Sequence, residues 1–208
     1  MMKKLFIILV VLVAMVSFVV LYANQDSSIF NFGQKVKSIN DKNDETIVAT
    51  INDSEITMKQ FEAYKLTINS SKDGQKMLSD KEILDMLIDK EVVYIEALKN
   101  NISVSDSFVD ESINSSKELV TQNQSEYNQL KDYISGLGIT EEQYWENAKP
   151  AYKKALMWGQ YKKILKKAYA EKNNIKDQNE LNNQFEEYYK NNIKELKSKS
   201  KIEYYNIK

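Results

Sequence analysis

The residue types that most often carry out chemistry in proteins are sparse in this chain, and carboxylates are the main ones that remain. The 208 residues include neither histidine nor cysteine. Ser-His-Asp triads, cysteine nucleophiles, disulfides and zinc sites built from these ligands are therefore excluded. Pairs of adjacent or helically spaced acids include Asp85 with Asp89, Glu141 with Glu142, and Glu186 with Glu187.

These acidic pairs are more typical of a solvated helix face than of an active site. Glycoside hydrolysis needs two carboxylates across a cleft, with pKa values held apart by their surroundings. Asp85 and Asp89 instead lie four residues apart near Lys81 and Lys90, which favours ion pairing at the surface. We therefore predict no catalytic residues, no metal site and no cofactor, and we expect that the protein is not an enzyme.

A group of large side chains suggests binding rather than catalysis. Tyr144, Trp145, Tyr152, Met157, Trp158 and Tyr161 lie within one predicted helix, at several angles around its axis. Because one buried face cannot hold all of these angles, part of the group is expected on the surface. Methionine and aromatic side chains adapt to varied partners. We predict that these six residues bind partner proteins, although ordinary core packing is the alternative for some of them.

The charge of the chain argues against a nucleic-acid partner. The formal net charge is -1, and all 29 basic residues are lysines. The sequence therefore has no basic footprint and no guanidinium groups for bidentate contacts to phosphate or guanine.

The N-terminus predicts export. Lys3 and Lys4 precede an apolar run from Leu5 to Tyr22, which as a helix would span roughly 27 Å, close to the thickness of a bilayer core. We favour an uncleaved signal anchor, with the C-terminal part outside the cytoplasm in a single-pass membrane protein. The alternative is secretion after cleavage near Ala23.

The rest of the chain predicts a mainly α fold with a small terminal β pairing. Residues 24–44 are polar and are interpreted as a linker between the leader (1–23) and a helical domain (45–208), with a short helix as an alternative for part of it. Thr46–Ile51 is β-branched, and the extended segment 201–208 is expected to pair with it. Helix starts are predicted at capping residues, and Pro150 is expected to kink or split the long helix that contains it. The predicted capping residues are Thr57, Ser79, Ser105, Thr140 and Asp177.

The order of four segments resembles the N-terminal chaperone domain of the SurA/PrsA family of extracytoplasmic folding factors. The segments read IVATINDSEITMKQFEAY, ILDMLIDKEVVYIEALKNNISVSDSFVDESI, LGITEEQYWENAKPAYKKAL and IKDQNELNNQFEEYYKNN. The chain departs from the family by having Asp53 where a glycine is usual. It also has no parvulin-type isomerase domain and none of the histidines that such a domain normally uses.

The resemblance implies an ATP-independent chaperone of the holdase type, which would bind unfolded or partly folded exported proteins. A homodimer is one possible assembly. Two alternatives remain: an envelope protein that uses the same fold to bind one fixed partner, and a member of the prolyl isomerase family without activity.

Overall fold

The protein is described by a computed structural model that covers residues 29–70 and 77–205. Within these residues it is mainly helical, with a small three-stranded sheet, which agrees with the predicted fold class. The predicted leader lies outside the described residues. The helices are α1 (Ile29–Lys42), α2 (Met58–Ser70), α3 (Asp80–Lys99), α4 (Asp106–Gln122), α5 (Gln124–Leu137), α6 (Glu141–Asn173) and α7 (Gln178–Ser198), and the strands are β1 (Ile47–Ile51), β2 (Ser54–Thr57) and β3 (Ile202–Tyr204).

The predicted helix starts are confirmed by their hydrogen bonds. At Ser79 and at Thr140 the hydroxyl accepts from the third helical N–H, and the side chain of Glu82 or Gln143 accepts in return from the cap N–H. These reciprocal bonds satisfy donors that a helix start otherwise leaves unpaired. Thr57, Ser105 and Asp177 also accept from the helical N–H three residues later.

The helices α3, α5 and α6 are followed by a residue in the left-handed conformation. Asn101 (φ 54°), Gly138 (φ 69°) and Asn174 (φ 54°) lie at these positions. Asparagine and glycine tolerate this backbone geometry better than other residues, so the ends are encoded locally.

The sheet joins the two ends of the predicted domain. Strand β1 lies in the centre, with β2 and β3 antiparallel on either side. The predicted pairing is confirmed, since Ile51 is opposite Ile202 and Ala49 is opposite Tyr204. Strand β2 was not predicted. The two-residue turn before it places Asn52 at φ 55° while Asp53 keeps a negative φ, which explains why glycine is not needed at Asp53.

The buried side chains form two clusters that share α6. The first cluster contains β1, α2, α3, the C-terminal half of α6 and α7, with Val48, Phe61, Ile88 and Phe185 at most 1% exposed. The second contains α4, α5 and the N-terminal half of α6. Helix α6 has 33 residues, roughly 50 Å at 1.5 Å per residue, and this length lets one helix serve both clusters.

The predicted split of α6 at Pro150 is wrong, because the helix runs unbroken from Glu141 to Asn173 with Pro150 inside it. Pro150 lies on the exposed side of the helix, as does Glu146 one turn earlier. Water can therefore bind the Glu146 carbonyl that has lost its N–H donor.

Part of the predicted linker is a packed helix. Residues 29–42 form α1, which lies against α5, so the alternative of a helix applies to this part of the segment. The missed signal is an apolar stripe at Ile29, Phe32, Val36 and Ile39, whose spacing matches the helical repeat.

Candidate functional site

The six large side chains predicted to bind partners are divided between the two clusters. Trp145, Tyr152 and Met157 are 6%, 1% and 3% exposed in the second cluster, where Tyr144 is partly buried. Tyr161 is 7% exposed in the first cluster, and Trp158 packs against that cluster.

None of the six is fully exposed, and only Tyr144 and Trp158 keep part of their surface accessible. The helix contacts α4 and α5 along its first half, and α3 and α7 farther along. Because these neighbours lie on different sides, side chains at several helical angles are buried or partly buried. Binding of partner proteins by these six residues stays a prediction, and it requires that packed groups become accessible.

Other large apolar side chains are exposed. They are Met77, Met86, Leu98, Leu119, Ile164, Tyr188, Tyr204 and Tyr205, with exposed fractions from 37% to 66%. They are spread over α3, α4, α6, α7 and the end of β3, so they provide several separate apolar contacts.

A row of aromatic rings leads from α1 into the second cluster. The ring centroid of Phe32 lies 5.8 Å from that of Tyr133 in α5, and Tyr133 lies 6.0 Å from Tyr144 in an edge-to-face arrangement. Tyr144 in turn lies 5.0 Å from Trp145. These separations are within the favourable range for aromatic pairs. Helix α1 is thus coupled to two of the predicted binding residues.

The helices α1 and α5 cross at two buried glycines. A Cβ added to Gly33 would lie 3.0 Å from the Gly136 Cα and would overlap the carbonyl oxygen of Tyr133. A Cβ added to Gly136 would overlap the carbonyl oxygen of Phe30. The crossing therefore depends on backbone contact that only glycine allows.

We call the surface of Tyr133 and Gly136, backed by Tyr144, the α5 groove. Burial raises the pKa of Tyr133 to about 12 and also raises the pKa of Tyr144, so both rings are neutral at physiological pH. The groove is therefore an uncharged aromatic surface with a narrow gap at Gly136. Sequence reasoning missed Phe32, Gly33, Tyr133 and Gly136, and only the apolar stripe of α1 pointed to this contact.

The acidic pair on α3 forms ion pairs with a residue that the sequence did not indicate. Lys197 of α7 lies 3.7 Å from Asp85 and 2.8 Å from Asp89, so the expected pairing with Lys81 and Lys90 is wrong. Lys90 instead lies 4.6 Å from the ring centroid of Tyr64. The reason is tertiary, because packing of α7 on α3 places Lys197 between both carboxylates.

The same acidic pair holds the last strand. The Tyr204 hydroxyl donates a hydrogen bond of 2.8 Å to Asp85, and the pKa of Tyr204 is raised to about 12 by burial and by this carboxylate. Burial and the charge of Asp89 raise the pKa of Tyr64 to about 12 as well. The arrangement connects α3, α7 and β3, and its carboxylates are occupied by internal partners.

A buried carboxylate links the sheet to α6. Glu91 of α3 is 8% exposed, accepts a hydrogen bond of 3.1 Å from the Ser54 hydroxyl, and pairs with Lys154. The Lys154 ammonium also lies 4.4 Å from the Tyr94 ring centroid. Because Lys154 lies in the half of α6 that serves the second cluster, these contacts join the two clusters.

The described residues offer two further observations on chemistry and membrane contact. Residues 29–70 and 77–205 contain no group of three or more acidic side chains arranged to hold a metal ion. None of the helices in the same residues is long and apolar enough to cross a membrane.

Comparison with known families supports the resemblance for the first three of the four segments and does not extend to the fourth, at residues 175–192. The model of the SurA-like N-terminal domain matches residues 1–162, which is most of the chain. A search among curated proteins finds no match. The described residues contain no parvulin-like domain. The chain therefore belongs to the family of SurA-like N-terminal domains, which is a chaperone-type family.

Proposed function

We propose that this protein is an extracytoplasmic folding factor that holds unfolded or partly folded exported proteins without using ATP. The observation that carries this proposal is the family match over residues 1–162, because the family is associated with binding of unfolded proteins.

The surface is suited to weak and varied contacts. Its exposed apolar side chains include Met77 and Met86, and methionine adapts its shape to different partners because its side chain is unbranched and flexible. The sequence has neither histidine nor cysteine, so the proposed action is non-covalent. Spread-out apolar contacts favour an extended chain over a small ligand, which needs one enclosed site.

We further propose that the apolar run Leu5 to Tyr22 anchors the protein in the cell membrane with the helical domain outside the cytoplasm. Secretion after cleavage near Ala23 is the alternative. Mass spectrometry of the mature N-terminus separates the two, since retention of Leu5–Tyr22 supports the anchor and a new N-terminus after Ala23 contradicts it.

The chaperone proposal is tested with the full chain in lipid nanodiscs. Several chemically unfolded proteins are diluted into buffer without ATP, and light scattering follows their aggregation. We expect slower aggregation of each of them at stoichiometric ratios, with empty nanodiscs as the control. Unchanged aggregation of all of them would remove the basis for a holdase.

Crosslinking in cells tests the range of partners. Many crosslinked exported proteins support the chaperone, whereas one stoichiometric partner would indicate an envelope subunit of fixed composition. A peptide isomerisation assay completes the test. Because the described residues contain no parvulin-like domain, we expect no rate enhancement, and a clear one would contradict the expectation that the protein is not an enzyme.

A further inference from the structure

Helix α1 is seated on the fold without being part of either buried cluster. Neither cluster contains a residue from Ile29–Lys42. Of its 14 residues only Phe32 and Gly33 are buried, and the rest of its apolar stripe is half-covered. Helix α1 therefore covers Tyr133 and Gly136 without contributing a residue to either cluster, and it also contacts α2.

The loop after α1 is anchored independently of the helix. Lys59 of α2 donates a backbone hydrogen bond of 3.0 Å to the Asp44 carbonyl and a side-chain hydrogen bond of 2.9 Å to Asn43. The Asp44 carboxylate accepts from the Thr46 N–H at 3.0 Å. These bonds fix residues 43–46, so α1 can leave the α5 groove while its point of attachment stays in place.

The contacts of α1 indicate which residues can bind in the α5 groove. Phe32 packs on Tyr133, and the next residue, Gly33, lets the two backbones touch at Gly136. Any larger residue at the crossing would collide with the backbone of α5. The groove therefore selects a helix with an aromatic residue followed by glycine, and excludes helices with large side chains at that point.

The two helices also carry net charges of opposite sign, although Lys37 pairs with Asp41 of its own helix. Helix α1 carries Lys35, Lys37 and Lys42 with one aspartate, whereas α5 carries Glu126 and Asp132 with one lysine. A ligand that replaced α1 would gain from the same basic character.

We propose that the α5 groove is a binding site for amphipathic helical segments of client proteins, that such segments carry an aromatic residue followed by glycine on a basic helix, and that α1 occupies the site in cis until a segment replaces it. This inference rests on the proposed chaperone function and names the class of client segment. Helical segments of this kind are recognised in grooves through a few anchor residues along one face.

The test uses a labelled peptide with the sequence of residues 29–42 as the probe and the full chain in nanodiscs as the receptor. In the wild type, α1 competes with the peptide, so the apparent affinity is reduced by the small fraction of open groove. Gly33→Leu in the chain forces α1 out through its clash with Tyr133 and Gly136, and should tighten peptide binding by about tenfold or more. Fluorescence anisotropy measures the affinity.

Two matched controls place the binding at the groove. Gly136→Leu blocks the groove itself, so the chain with both Gly33→Leu and Gly136→Leu should lose the gain in affinity. A peptide carrying Gly33→Leu should bind no variant. Far-UV circular dichroism and thermal denaturation check that each variant folds, and the milder Phe32→Ala should give a smaller gain than Gly33→Leu if either leucine variant fails to fold.

The outcomes separate this inference from the chaperone function. Equal peptide affinity in the wild type, Gly33→Leu and Phe32→Ala chains would overturn the groove, even if the wild type still slows aggregation. Tight binding to Gly33→Leu that is lost with Gly136→Leu supports the groove, even if aggregation is unchanged. Binding that survives Gly136→Leu would place the peptide elsewhere and also overturns the inference.

Discussion

The glycines of this protein provide a sharp test of the packing described above, because the same substitution should have opposite effects at two positions. Gly159 lies inside α6, and a Cβ added there would meet nothing within 4 Å. Gly136 lies inside α5, where a Cβ would overlap the Phe30 carbonyl. Both substitutions replace a helical glycine by alanine, so both bring the same gain in intrinsic helix propensity.

At Gly159 only that propensity should count. Alanine is favoured over glycine in a helix interior by about 0.5–1 kcal/mol, mainly because glycine loses more backbone freedom on folding. We therefore expect Gly159→Ala to raise the free energy of unfolding by that amount. For a chain of this size, the corresponding rise in Tm is roughly 2–4 °C.

At Gly136 the steric term should dominate. Placing a methyl group where no space exists costs typically about 1–3 kcal/mol, which exceeds the gain in propensity. Because α1 belongs to neither buried cluster, we expect this loss to appear as weaker docking of α1. Gly136→Ala should therefore increase proteolysis and amide hydrogen exchange within residues 29–42 while the two clusters stay protected.

The assay is guanidinium denaturation of the full chain in nanodiscs, followed by circular dichroism, together with hydrogen exchange. A lower stability of Gly159→Ala would refute the reasoning, since it would mean that α6 needs the freedom of a glycine between the two clusters. Unchanged exchange of residues 29–42 in Gly136→Ala would show that the glycine crossing does not hold α1.

Three further predictions concern single side chains. Burial raises the pKa of Tyr133 from 10.0 to about 12. Its contribution to stability is therefore complete below pH 10 and is lost as the pH rises to 12. Tyr133→Phe should make the free energy of unfolding fall less steeply between pH 10 and pH 12, as measured by denaturation at each pH. Lys197→Met leaves the carboxylates of Asp85 and Asp89 without their shared cation. It should lower the free energy of unfolding by about 1 kcal/mol or less. If this difference from the wild type is equally large in high salt, the cause is not ionic. Thr140→Ala removes the cap of α6 and should cost about 1 kcal/mol, whereas Thr140→Ser should restore most of it in the same denaturation assay.

Local hydrogen bonding explains why much of the secondary structure was predictable. The cap at Ser79 needs only Glu82, and the end of α3 needs only an asparagine that accepts a left-handed backbone at Asn101. The pairing of Ile51 with Ile202 was also predictable, because two β-branched or aromatic segments at the ends of a helical domain have few other partners.

Strand β2 and the continuity of α6 were less accessible to sequence reasoning. Residues 54–57 are too short for a clear alternation, and they become a strand because β1 offers hydrogen bonds beside them. A proline inside a helix often ends it. Helix α6 stays continuous at Pro150 because the segments before and after this residue are each packed against other helices.

By itself the sequence determined most of the helix starts, the mainly α class with paired terminal strands, the family, and the lack of histidine and cysteine chemistry. Each of these depends on residue types or on contacts within a few positions. Only the tertiary structure decided that Trp145 and Tyr161 are covered on different sides of one helix, and that Lys197 neutralises Asp85 and Asp89. The docking of Gly33 on Gly136 was likewise decided there. The physical reason is that burial, ion pairing and backbone contact between helices depend on which distant surfaces meet, and no local pattern specifies that meeting.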